Sequence, residues 1–130
     1  MKAVMVSIEY LKRRADEFLE TAQYNFTKKM YDLAAFSVEQ YMQLYLKYFL
    51  AKKVGYFPKT YSVSSLFKEA GKICSMLLEF YKEKALEISA IEDAYISSRY
   101  LPREFDEETV SAMLRIAEEF RRVMEKCLQE

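Results

Sequence analysis

Glycine and proline, the residues that most readily interrupt a helix, are almost missing from this chain. Gly55, Gly71, Pro58 and Pro102 are the whole set in 130 residues. So few breakers favour long helices over many short strands. With 52% hydrophobic and 31% charged residues the chain is not composed like a disordered one. Its length suits one domain spanning residues 1–130, with one real core that takes roughly two-thirds of the unfolded surface out of water.

The apolar periodicity fills in the helices. Ile8, Leu11, Ala15, Phe18, Leu19, Ala22 and Phe26 recur at three-and-four spacing, which predicts a first helix from Ile8 to Lys28 with Ser7 as its N-cap. Asp32 is the expected cap of a second helix reaching Lys53, stopped by Gly55 with Pro58 beyond it. Ala35, Val38, Met42, Tyr45 and Phe49 form one stripe of that helix, and Ala34, Tyr41 and Tyr48 widen it. So broad an apolar surface marks the central helix of the fold. The short Lys28–Lys29 turn makes the first two helices an antiparallel hairpin.

Ser62 caps a short helix carrying Val63, Leu66, Phe67 and Ala70 and ended by Gly71. A further helical stretch runs from Ile73 to Arg99, kinked near its middle and stopped by Pro102. Asp106 caps the last helix, whose buried stripe is Val110, Met113, Leu114, Ala117, Phe120, Met124 and Cys127. The expected architecture is all-α: an up-and-down bundle of four long helices plus a short connecting one.

Lys+Arg and Asp+Glu balance at 20 each. No basic excess points to a dedicated nucleic-acid binder, although a local basic patch is compatible with this balance. No apolar run reaches the ~18 residues of a membrane span, and the N-terminus has no charged-then-apolar signal pattern, so a cytoplasmic protein is expected. Cys74 and Cys127 are too few and too far apart for a zinc site and read as small buried hydrophobes. A single Asn and many Lys and Glu lean toward a thermophilic source, where an intracellular disulfide becomes an alternative.

The count of zero histidines removes the commonest general base and metal ligand. Ser-His and Cys-His nucleophiles and Glu-x-x-His metal pairs are excluded with it. Two glycines far apart make no phosphate loop. An all-carboxylate cluster of Glu39, Glu69, Glu92 and Asp93 is the one metal arrangement left; carboxylates on helices are mostly solvated, and no metal is expected.

Two segments carry more chemistry than packing requires. Glu39, Gln43 and Lys47 follow one another at i, i+4 steps and share a helix face beside Gln40. They form either a polar strip at the bundle edge or a groove entered by a charged ligand or by the Arg99 segment. The second segment runs from Glu92 to Pro102. Arg99 offers a planar fork for phosphate or carboxylate, Tyr95 lies one turn before it, and Arg103 adds charge past the proline. The alternative is structural, with Arg99 paired to Glu92 or Asp93 and Tyr100 covering the core.

In order and spacing the chain resembles the HEPN domain family from about Ser7 to Met124. The resemblance is carried by Leu11…Ala15…Phe18-Leu19…Ala22, Tyr31-Asp32-Leu33-Ala34-Ala35-Phe36 and Glu39-Gln40…Leu46-Lys47. It continues through the Gly55…Pro58-Lys59-Thr60-Tyr61-Ser62 loop and Ala94-Tyr95…Arg99-Tyr100. It implies a homodimer whose Arg-bearing segments face a shared cleft, and one of two activities. Many relatives are ribonucleases using an Arg followed closely by a His; here Glu104, Phe105 and Asp106 stand where that His would fall. Others accompany a small nucleotidyltransferase, in toxin–antitoxin-like pairs, and are proposed to bind nucleotide.

In that second picture Arg99 and Arg103 hold phosphates, Tyr95 or Tyr100 stacks on a base, and Lys47 adds charge. Glu39 and Asp93 complete the candidate set, and the Tyr100 hydroxyl is a candidate nucleotidyl acceptor. Tyr61 occupies a loop position where many relatives carry His. The expectation is a non-catalytic binder of a nucleotide or an RNA phosphate, needing no cofactor beyond that ligand. A metal-independent ribonuclease and a purely structural helical adaptor are the alternatives.

Overall fold

The computed structural model describes residues 2–100 and 105–130, with side chains described for residues 8–96 and 105–130. Six α-helices and no strand occur among the described residues: α1 (Lys2–Thr27), α2 (Tyr31–Val54), α3 (Val63–Gly71), α4 (Ser75–Glu83), α5 (Ala85–Tyr100) and α6 (Glu107–Gln129). None is long and apolar enough to cross a membrane.

Helix boundaries depart from the sequence expectation in instructive ways. α1 begins at Lys2, so Ser7 lies inside the helix and does not cap it. The preceding Lys2-Ala3-Val4-Met5-Val6 holds no breaker, and nothing obliges the helix to start later. Asp32 is not the cap of α2 either. The helix starts after Met30, which makes no side-chain cap, while Asp32 Oδ1 accepts the Phe105 backbone N–H at 2.8 Å. A residue suited to local capping is used here to tie the entry of α6 to the entry of α2. The remaining caps follow expectation. Gly55 closes α2 at φ +87°, a left-handed geometry that a side chain would strain. Ser62 and Asp106 accept the backbone N–H of Ser65 and Thr109.

The long helix expected from Ile73 to Arg99 is two helices. Lys84 leaves helical geometry (φ −110°, ψ 25°) while its N–H still reaches the Phe80 carbonyl and its carbonyl accepts from Ile88. The anticipated kink is therefore a full break, and the helix count rises to six. α5 is described as far as Tyr100, and the expected stop at Pro102 lies outside the described residues. At the α3–α4 corner Gly71 serves close packing, since a Cβ there would sit 3.0 Å from Leu78 Cβ.

α2 is the central element, in contact with α1, α3, α5 and α6. All eight stripe residues expected from its sequence are buried. α1 lies along it with Ala15 and Ala22 fully buried, small enough to let the two backbones approach, while Ile8, Leu11, Phe18, Leu19 and Phe26 are half-buried. Phe120 of α6 meets Tyr41 and Tyr45 edge-to-face at 5.9 and 5.7 Å, and Phe67 at 5.5 Å. Such contacts add ~0.5–1.5 kcal/mol each beyond the area they bury. On α6 the inward position is Ile116, and Leu114, expected in the stripe, is only half-buried.

Cys74 and Cys127 are buried as expected, but not as free thiols. They form a disulfide, with Cα atoms 5.9 Å apart, joining the residue before α4 to the last turn of α6. The apolar helix neighbourhoods of both cysteines are equally compatible with thiol and disulfide, and only the tertiary approach of the two helices decides.

Candidate functional site

The polar face of α2 is not an edge strip. Glu39 is fully buried and Gln43 only 4% exposed, so both sit inside the fold. Burying a carboxylate costs several kcal/mol unless hydrogen bonds or an opposite charge compensate. Here the compensation is a directional chain. Lys47 Nζ donates to Gln43 Oε1 at 3.2 Å, and Gln43 Nε2 donates to Glu39 Oε2 at 2.9 Å. Gln40 Nε2 donates to Glu39 Oε1 at 2.7 Å. The chain makes chemical sense with an ammonium at one end and a carboxylate at the other.

Burial pushes the Glu39 carboxyl up to about 7, against the pull of the Gln40 and Gln43 hydrogen bonds. The nearby Glu92 pushes it further up, and Lys47 pulls it down. Desolvation holds the Lys47 ammonium below its ordinary value, partly offset by Glu39. Both shifts have the same origin, a charged pair held in a poorly solvated slot and bridged by an amide.

The loop between α2 and α3 covers that slot. Phe57 and Tyr61 hold Lys47 with ring centroids 5.6 and 5.4 Å from Nζ, and Gln43 Nε2 also reaches the Tyr61 carbonyl at 3.4 Å. Tyr61 then stacks on Tyr95 of α5, centroids 5.4 Å apart and planes within 18°. Tyr95 in turn lies 6.4 Å from Phe36 of α2, with planes tilted by 30°. Below this ladder Glu92 Oε1 accepts both the N–H and the Oγ–H of Ser64, in the first turn of α3. A carboxylate at a helix N-terminus is favourably placed for the helix dipole.

Of the residues expected at the site, Glu39, Lys47 and Tyr95 are thus gathered on one side of the molecule, linked through Gln43 and Tyr61. Asp93 is exposed on α5. Glu92 is engaged by Ser64. Arg99 and Tyr100 belong to the last turn of α5, with Arg99 one turn beyond Tyr95, and their side chains lie outside the described residues. Arg103 lies outside them altogether.

Tyr61, Phe57, Phe36 and Ser64 were not singled out as binding groups. Tyr61 and Ser64 flank the α3 cap, a clue to their nearness to α5 only once the bundle is assembled. The all-carboxylate metal cluster does not form: Glu69 pairs with Lys72 at 3.1 Å. Among the described residues no three His, Cys, Asp or Glu side chains gather around a common point.

The family model described as HEPN domain matches residues 8–127. The chain belongs to the HEPN family. No curated protein matches it. This HEPN domain has no histidine anywhere in its sequence. Of the positions where the resemblance would put one, Phe105 is buried and Asp106 is the α6 cap. Hydrogen bonds from Thr109 hold the Asp106 carboxyl below its ordinary value.

Proposed function

We propose that this HEPN domain binds the phosphate of a nucleotide or of RNA without cleaving it, and that it acts as a cytoplasmic homodimer. In this reading the four principal arms run up and down, α4 and α5 together making one of them, and the chain is a single domain. Its partner is a small nucleotidyltransferase. The observation that carries the reading is the Lys47–Gln43–Glu39 chain of α2 lying beneath the stack of Tyr61 on Tyr95, a residue of α5, the helix whose next turn bears Arg99. A half-desolvated ammonium, a row of rings and an arginine one helical turn along from Tyr95 are the residue types that a phosphate with an attached base requires.

The same residues argue against cleavage. Ribose 2′-hydroxyl attack needs a proton acceptor near neutral pH within hydrogen-bond reach of the substrate. Glu39 has the right proton affinity but is wholly buried. Asp106 is exposed, but its affinity is lowered by its capping role. Arg99 is the residue we place on the phosphate, with Arg103 beside it. Tyr100 is left as a base-stacking or acceptor group.

Titration of the protein with ATP and GTP, followed by melting temperature, tests the reading. A shift that grows with nucleotide concentration and is absent in Arg99→Ala supports it, because a ligand at about a hundred times its Kd stabilises by ~2.7 kcal/mol. No shift through the millimolar range with either nucleotide or RNA sinks it. Cleavage of single-stranded RNA by the purified protein, lost in Arg99→Ala, would replace it with the ribonuclease alternative. Sedimentation at micromolar concentration tests the dimer, and co-purification with a nucleotidyltransferase encoded beside it tests the partner.

A further inference from the structure

α5 is apolar on more than the side it buries. Ile88, Ile91 and Ala94 are fully buried, yet Leu86 is 86% exposed and Ile96 56%. A helix apolar over so much of its circumference has a further surface to cover. Leu86 lies one turn before Ala90 and shares its helix face. Ala90 opens on a hollow of about 320 Å³ between α5 and α6, lined also by Glu87, Glu108, Thr109, Ala112 and Met113. Ala90 and Ala112 are the small side chains that leave this space, and the buried Met113 forms its floor.

The rim of the hollow carries one sign of charge. Glu87 comes from α5 and Glu108 from α6; both are exposed, and neither has an ion pair or a side-chain hydrogen bond among the described residues. The neighbouring cations are engaged: Lys84, just before α5, faces Glu119 at 3.7 Å, and Arg115 of α6 donates to Ser111. Both carboxylates stand in the first turn of their helix, where the dipole favours them. The dipole does not account for an apolar hollow between them, or for a leucine left in water one turn away.

We propose that this hollow is a docking groove for a protein partner: an amphipathic helix whose apolar stripe enters between α5 and α6 and whose flanking lysines or arginines meet Glu87 and Glu108. A helix fits because Leu86, Ala90 and the hollow follow a helix axis, and helices dock through anchors about one turn apart. A basic partner fits because two uncompensated carboxylates flank the apolar surface, and complementary charge steers encounter and fixes register. The same rim repels RNA and anionic lipid. A second copy of this chain, placed symmetrically, would bring Glu87 and Glu108 against the same carboxylates of its partner. Tyr95 of the same helix faces the α2–α3 loop instead, and nothing in the groove depends on the phosphate-binding reading.

Fluorescence anisotropy with a labelled synthetic helix, leucines at three-and-four spacing flanked by lysines, tests the groove. The control peptides carry glutamates for the lysines, or serines for the leucines. Wild type should bind the leucine–lysine peptide and bind both controls at least about tenfold more weakly. Glu87→Lys combined with Glu108→Lys should weaken the leucine–lysine peptide by about tenfold, because two attractions become repulsions. Ala112→Gln places a polar side chain in the hollow at unchanged charge, and should also cost about tenfold; Leu86→Ser should cost about fivefold. Glu20→Lys, on the exposed side of α1, should change affinity less than about twofold. The substituted side chains are exposed or half-buried, and a melting curve checks that each variant folds. Equal affinity for the glutamate peptide overturns the groove, as does unchanged affinity in either the charge reversal or Ala112→Gln. No binding of the leucine–lysine peptide into the millimolar range overturns it too. If Leu86→Ser or the charge reversal alters the sedimentation of the protein alone, the hollow joins copies of this chain and the proposal falls. Each of these failures leaves nucleotide titration of the Lys47 slot as it was.

Discussion

The two sides of α2 are buried to the same degree and built from opposite chemistry. Toward α1 and α6 it presents Tyr41 and Tyr45 to the Phe120 ring. Toward the α2–α3 loop and α5 it presents Glu39 and Gln43, as inaccessible as those tyrosines. Packing explains the rings of the first side: they meet edge to face and are buried. It does not explain the second, since a buried charged group is commonly matched or bettered in stability by an apolar one of similar size. Where burial is equal and the chemistry costs stability, the proposed function gives the polar residues a role that packing does not. In that reading the aromatic side holds the bundle and the polar side holds the site.

Breaking the aromatic side should have the largest effect on stability. The disulfide fastens α6, which supplies Phe120, to the α3–α4 corner across a sequence separation of 53. Cross-linking a loop of that length removes about 4 kcal/mol of unfolded-chain entropy. Replacing both cysteines by alanine should lower the unfolding free energy by about that amount in denaturant titration. A loss below ~1 kcal/mol would mean that the staple does not restrain the unfolded chain. Affinity for the phosphate ligand should survive, because neither cysteine touches the Lys47 chain.

Removing the charge from the polar side should act in the opposite direction. The Glu39 carboxyl is raised to about 7 by burial, whereas the unfolded chain ionises near ~4.3. The folded state therefore holds the proton more tightly. Its contribution to stability is complete below about pH 4 and is lost as pH rises toward 7, remaining a constant cost beyond that. Glu39→Gln resembles the protonated form. It should stabilise the protein by about 3 kcal/mol at pH 8 and by almost nothing at pH 4. A difference that does not vary with pH would show that Glu39 ionises in the native state as it does in the unfolded chain. The variant should also loosen Lys47, whose amide partner is oriented by the carboxylate.

A smaller effect is expected from the flaw in the aromatic side. The Tyr41 hydroxyl is buried without a hydrogen-bond partner. An unsatisfied hydroxyl costs ~1–3 kcal/mol, so Tyr41→Phe should leave the ring contacts with Tyr45 and Phe120 intact and raise stability by about 1 kcal/mol. Destabilisation instead would mean that the hydroxyl is bonded in solution, for example to a buried water.

Much of this contrast was legible before any coordinates, but not its decisive part. Periodicity identified the α2 stripe residue by residue, because a helix repeats its faces locally. The i, i+4 spacing also put Glu39, Gln43 and Lys47 on one face. It could not say what covers that face, and the covering loop turned an apparent edge strip into a buried slot. Asp32 shows the same limit. Its type suits a local cap, and its partner is the backbone of Phe105, a residue brought near only by the bundle. The Cys74–Cys127 pairing and the Tyr61–Tyr95 stack are likewise long-range facts. Arg99 stands out in the sequence through its chemistry and its place before a proline.

The sharpest test of the comparison is the substitution expected to alter stability least. Tyr61 touches Tyr95 with one face and leaves most of its surface in water. Truncating it to alanine therefore removes an exposed stacking contact and the ring beside Lys47, without emptying a buried position. Away from buried features, surface substitutions fall within about 0.5 kcal/mol of neutral, and Tyr61→Ala should do so at pH 8. If the polar side of α2 exists for ligand, this variant should be nearly as stable as wild type and clearly weaker for the nucleotide or RNA ligand of the proposed function. A large loss of stability would place Tyr61 among the residues that hold the loop over Glu39. The ladder would then belong to the fold, and the distinction between the two sides of α2 would dissolve.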